Sequence, residues 1–152
     1  MAAGLVAKAA RVSQDAWPEA AGAVAQAESL RARATPLAQQ DADAYRAALE
    51  AMRGSSDEEL ALSLDLAAEV PLEIAAVAAD VAALGAVVAN RGDESVHGEA
   101  AGAAALAEAS ARIAAHLVEV NLTAAPGDPR VERAKRLAAE ASDSARHALR
   151  PA

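Results

Sequence analysis

Apolar positions in the second half of the chain fall on one helical stripe. Val70, Ile74, Val77, Val81, Leu84 and Val88 recur at alternating steps of four and three, the period of a helix with one buried face. Glu73 and Asp80 lie seven apart on another face of the same segment. A looser stripe follows at Leu106, Ile113, Leu117 and Val120, and is read as core-facing in the same way. Nowhere does the chain alternate as a strand does, and no internal repeat is visible.

Four breaks separate the helical segments. Trp17-Pro18 is one, with Asp15 placed to cap a helix beginning near Pro18. The second is Gly54 to Ser56, where Ser56 and Glu59 form a capping box that predicts a helix from Asp57. The third is the polar turn Asn90 to Asp93. The fourth is Ala125 to Pro129, where Asp128 is the N-cap and Pro129 the first helical residue. Pro36 and Pro71 fall inside helical patterns, and each predicts a kink or a division of its helix. Gly98 and Gly102, one turn apart, predict a close helix approach. The segment 129–149 has few large apolar residues and is expected to pack least firmly.

Composition sharpens this into a fold class. Of 152 residues 49 are alanine, while aromatics make up 1% (Trp17 and Tyr45). Alanine loses no side-chain entropy in a helix, and a sandwich or barrel wants β-branched and aromatic residues. The fold predicted is all-α, a multihelical antiparallel bundle or array of long kinked helices in one domain spanning 1–152. Small alanine side chains bury little area each, so a homodimer is expected to complete the core. Absence of cysteine excludes disulfide frameworks and thiolate zinc sites.

Net charge is −8, concentrated in residues 54–99, which hold ten acids against Arg91 alone. With no basic stripe to follow a phosphate backbone, nucleic acid is not an expected partner. Val70–Ala89 has nearly membrane-spanning length, but Glu73 and Asp80 would each cost about 2.5–3.5 kcal/mol near a bilayer centre. It is read as the buried helix of a cytoplasmic protein with no membrane partner, and no signal peptide is evident.

No nucleotide loop, paired-histidine metal motif or nucleophile elbow occurs. His97, His116 and His147 are scattered and suggest no common metal site. The carboxylates are more informative. Asp41 and Tyr45, four apart, share a helix face. Glu69 precedes Pro71, where carbonyls freed by the proline can line a pocket. Glu99 lies near a helix start, where the dipole favours an anion. Solvated helix charges are the competing interpretation of all three.

The runs LRARATPLAQQDADAYRAALEAM, AAEVPLEIA and LAEASARIAAHLVEVNL, in that order and spacing, resemble the cyclodeaminase/cyclohydrolase family over roughly residues 1–122. This family comprises the second half of formiminotransferase-cyclodeaminase and stand-alone methenyltetrahydrofolate cyclohydrolases. The resemblance implies an all-α homodimer that acts on one-carbon tetrahydrofolate derivatives with no metal or other cofactor. It assigns catalytic roles to Asp41 and Glu99, and substrate contacts to Tyr45, Glu69 and Asn121. Lys8 is a substrate-binding candidate by its charge, which suits a folate glutamate tail, with a solvated helix face as the competing interpretation. The phrase Glu69-Val70-Pro71-Leu72 is intact.

Departures from the family pattern stand at three places, the first being the N-terminal Thr-x-Gly-Lys segment, where Val6, Ala7, Lys8 and Ala9 stand instead. The family turn Gly-Asn-x-Asn-x-x-Ser-Asp reads here from Gly92 to Glu99, with both Asn replaced, Gly98 for Ser and Glu99 for Asp. The expected Pro-Gly-Gly-Gly-Ser loop and the first part of its helix do not precede Met1. The resemblance therefore leaves two expectations: a folate-dependent one-carbon enzyme, or a non-catalytic helical homodimer derived from one.

Overall fold

The computed structural model describes residues 1–54, 56–123 and 125–150. Ser55, within one expected break, and residues 151–152 of the expected domain lie outside the described residues. Among the described residues six α-helices follow one another: α1 (Ala2–Val12), α2 (Ala20–Ala34), α3 (Leu37–Ala51), α4 (Asp57–Arg91), α5 (His97–Asn121) and α6 (Pro129–Ala148). Short 3-10 turns at Ser13–Asp15 and Glu94–Val96 precede α2 and α5. No strand occurs among the described residues.

The helix α4 is the axis of the molecule and packs against each of the other five. It starts where the capping box predicts: Glu59 N–H donates to Ser56 Oγ, and Ser56 N–H donates to Glu59. Its stripe from Val77 to Val88 is buried, with Val70 and Ile74 packed at the edge of the core. Of its most apolar stretch, 67% is buried inside the bundle. The partner α5 runs antiparallel to it, with Gly85 against Ala104 at one end and Ala67 against Asn121 at the other. The closing helix α6 lies across both.

Several expectations need correction. Pro71 does not divide α4, which continues from Asp57 to Arg91 with the proline fully buried inside it. Pro36 does separate α2 from α3. Asp15 closes a 3-10 turn and caps nothing; α2 begins two residues beyond Pro18, with no side-chain cap. The close helix approach is made by Gly85, where an added Cβ would lie 3.1 Å from Ala104 Cβ. Gly98 and Gly102 have open space around them.

The stripe Leu106, Ile113, Leu117 and Val120 faces outward. The buried positions of α5 are Ala100, Ala103, Ala104, Ala107, Ala111 and their neighbours. A helix seated as close as Gly85 allows can place only small side chains at the seam, so the larger ones stand on the flank. For the same reason α6 packs well without large residues. It buries Ala134, Ala141, Ala145 and Ala148, each methyl contributing on the order of 0.8 kcal/mol.

Two cores result. The larger one unites α1, α2, α4, α5 and the second half of α6, with Leu37 of α3 at its edge. The smaller gathers Ala68 and Leu72 of α4, Ala115, Val118 and Leu122 at the end of α5, and Ala134 of α6. The Pro71 turn and the polar residues around it border this second core.

Candidate functional site

The residues singled out by sequence occupy three places. On the first, α1 and α5 lie side by side and Lys8 Nζ is 2.8 Å from Glu99 Oε1. Both side chains remain more than 40% exposed, so the pair adds under about 1 kcal/mol of stability. The preceding turn is tightly built. Ser13, wholly buried, donates to the Ala9 carbonyl and accepts from Asp93 N–H, both at 2.9 Å. Asp93 accepts from the Ser95 hydroxyl at 2.6 Å and from Ser95 N–H at 2.9 Å. These bonds, the hydroxyl's first, hold the Asp93 carboxyl below its ordinary range. His97 Nδ1 lies 2.9 Å from the Ala89 carbonyl and ties α5 to the end of α4.

The second place is α3. Its inward stripe is Leu37, Ala44, Ala48 and Ala51, and Asp41 falls on that stripe, half-buried. Its carboxylate forms no hydrogen bond or ion pair with any described residue. Tyr45, on the same flank, is 63% exposed. One turn before Asp41, Leu37 and Ala38 wall a groove of about 440 Å³. Ile74, Val77 and Val81 of α4 form its floor, and Arg31, Thr35 and Ser110 supply polar groups. None of the six residues assigned by sequence lines this groove.

The third place surrounds Pro71. A proline has no N–H to offer the carbonyl four residues back, which leaves the Ala67 oxygen without a partner in its own helix. Asn121 Nδ2 donates to that oxygen at 2.5 Å. Glu69 is held by Arg130, whose Nη1 donates to Glu69 Oε1 at 2.9 Å and lies 2.6 Å from Asp65 Oδ1. The same guanidinium grips Asp128 through Nε at 3.0 Å and Nη2 at 2.7 Å. Asp128 is the expected N-cap of α6, accepting from Arg130 N–H at 2.9 Å. The Arg130 fork holds the Asp128 carboxyl below its usual range, and the three carboxylates raise Arg130 further above its own.

Lys8 and Glu99 are thus brought together directly, and Asn121 and Glu69 meet around one helical turn. Asp41 and Tyr45 bond to none of the others. Arg130 was missed by sequence. A signal existed in Asp65 and Glu69, four apart on one flank of α4, but nothing local says which base crosses 61 positions to reach them. Among the described residues, no group of three or more histidines or carboxylates is placed to hold a metal ion.

A sequence model of the formiminotransferase-cyclodeaminase family matches residues 1–141, a span that contains all of these residues. The chain belongs to that family. Its fold matches the crystal structure of formiminotetrahydrofolate cyclodeaminase from Thermotoga maritima with a TM-score of 0.89. The match covers 97% of this chain and 79% of that one at 24% identity, so the likeness is one of fold. Comparison with curated proteins finds no match. Family membership accounts for the all-α array.

Proposed function

We propose that this member of the family acts on tetrahydrofolate derivatives at the 5,10-methenyl level in the cytoplasm, as a formiminotetrahydrofolate cyclodeaminase or a methenyltetrahydrofolate cyclohydrolase. The observation that carries the proposal is Asp41: a half-buried carboxylate with no hydrogen-bond or ion-pair partner among the described residues, on the inward face of α3 and within the family-matched span. An unengaged carboxylate is free to accept and return a proton.

In the deaminase reaction, N10 of the folate attacks the formimino carbon on N5. The formimino group reacts in its protonated, amidinium form; Asp41 takes the N10 proton and returns it to the departing nitrogen. The C–N bond to that nitrogen breaks, ammonia leaves and the methenyl bridge remains. In the hydrolase reaction, water adds to the methenyl carbon and gives up a proton to Asp41. The bond from that carbon to N5 then breaks, the remaining hydroxyl proton passes to N5, and the formyl group stays on N10. Glu99, held by Lys8, serves as the second carboxylate. Tyr45, Glu69, Asn121 and Lys8 contact the substrate.

The exposed apolar flank of α5 supports a homodimeric state. Leu106, Ser110, Ile113, Leu117 and Val120 step along one face, and Ile113 is 64% exposed.

Turnover of both folate substrates by the wild type and by Asp41→Asn tests the proposal. The variant is expected to lose about 100-fold or more in kcat with an unchanged melting temperature. Wild-type kcat in the variant removes Asp41 from the reaction.

A further inference from the structure

The turn of α4 that carries Glu69 is held from outside its own helix. Its regular hydrogen bond at Ala67 is missing because of Pro71, and Asn121 from the end of α5 supplies a replacement at 2.5 Å. The side chain two residues further on is fixed from the start of α6. Asp128 is anchored as the N-cap and is 15% exposed; it grips Arg130, which is 20% exposed; Arg130 grips Glu69, which is 53% exposed. Burial therefore falls along this chain of contacts from a rigid helix end to one oxygen of a solvent-facing carboxylate. Glu69 Oε1 is occupied by Arg130 at 2.9 Å, while Oε2 has no hydrogen-bond or ion-pair partner among the described residues.

A glutamate on a helix flank ordinarily samples several rotamers. A planar guanidinium, itself clamped on its other edge, selects one of them before any ligand arrives. We propose that Arg130, backed by Asn121 at the helix gap, is a positioning residue that presents the free oxygen of Glu69 to the substrate. The assignment rests on the folate function proposed above. It gives the ends of α5 and α6 a role in substrate binding through Glu69, a carboxylate that stands on α4.

A purely structural clamp of α6 onto α4 would use the same atoms, so the test must separate the two. Steady-state kcat and KM with 5-formiminotetrahydrofolate and 5,10-methenyltetrahydrofolate are measured for the wild type, Arg130→Met, Glu69→Gln and the double variant, with melting temperatures alongside. The positioning role predicts that Arg130→Met lowers kcat/KM about 10- to 100-fold. It further predicts that Arg130→Met adds nothing in the Glu69→Gln background, because its effect passes through Glu69. Arg130→Lys, a point charge without the fork, recovers only part of the loss. Asp65→Asn, which touches Arg130 but not Glu69, stays within about twofold of wild type.

Equal fold-losses from Arg130→Met in both backgrounds overturn the positioning role while leaving the folate function standing. A wild type with no turnover on either substrate overturns the folate function, and this assignment with it. If Arg130→Met does not fold, the same cycle is run with Arg130→Lys, and independent losses again overturn the assignment.

Discussion

Gly92 stands where no side chain fits. A Cβ there would lie 2.6 Å from both Ser13 Oγ and the Val88 carbonyl, and neither can retreat because Ser13 is buried and already bonded on two sides. Gly92→Ala is expected to destabilise by about 1–3 kcal/mol, read as a lower melting temperature. An unchanged melting temperature would show that the Ser13 knot is loose. The buried serine was not legible beforehand: in an alanine-rich helix, Ser13 reads as one more small residue, and its partner Asp93 lies 80 positions away. Asp128 was legible because an N-cap is a local device. Its folded carboxyl titrates below its ordinary value, first because of the Arg130 fork and then the backbone N–H. A depressed folded value means stabilisation that is complete above the unfolded value near pH 4 and is lost as the pH falls through the folded one. Urea unfolding across this range should therefore find Asp128→Asn less stable than wild type near neutrality, with the gap closing in acid. A gap independent of pH would contradict the assigned cause.

At the scale of elements, the proline turn makes a sharper test. Asn121→Ala leaves the Ala67 carbonyl without its donor, which costs about 1–3 kcal/mol if the group stays dry. In a Pro71→Ala background the helix regains its own N–H at that place, so the same substitution should cost much less. Equal costs in both backgrounds, measured by chemical denaturation, would mean that Asn121 does not act by filling the proline gap. Elements defined by local chemistry were readable in the sequence: the capping box at Ser56, the Asp128-Pro129 start, and the stripe from Val70 to Val88. Spacing showed that Leu106, Ile113, Leu117 and Val120 share a face, but spacing does not say which face is inside. Around Gly85 that choice was set by the close approach to Ala100 and Ala104, which leaves room there for alanines alone; Val118 is buried further along, away from this contact.

For the whole molecule, the displaced stripe becomes a surface. Ile113 and Leu117 on α5 stand exposed on a chain whose core is built largely of alanine, an arrangement suited to covering by a second copy. Sedimentation should find a dimer, and Ile113→Glu with Leu117→Glu should yield a folded monomer. A wild type that is monomeric at micromolar concentration would refute the homodimer. The candidate site was legible in part. Residue types and order pointed to Asp41, Glu69 and Glu99, while the crossing contacts from Lys8, Asn121 and Arg130 depend on how α1, α5 and α6 fold back onto the axis.

The folate function itself is tested most directly by calorimetric titration of the purified chain with a stable tetrahydrofolate derivative. Saturable heat with one site per chain, abolished or greatly weakened in Glu69→Gln, is the outcome predicted here. Absence of any heat at millimolar ligand would contradict it and leave a folate-blind helical protein of the same family.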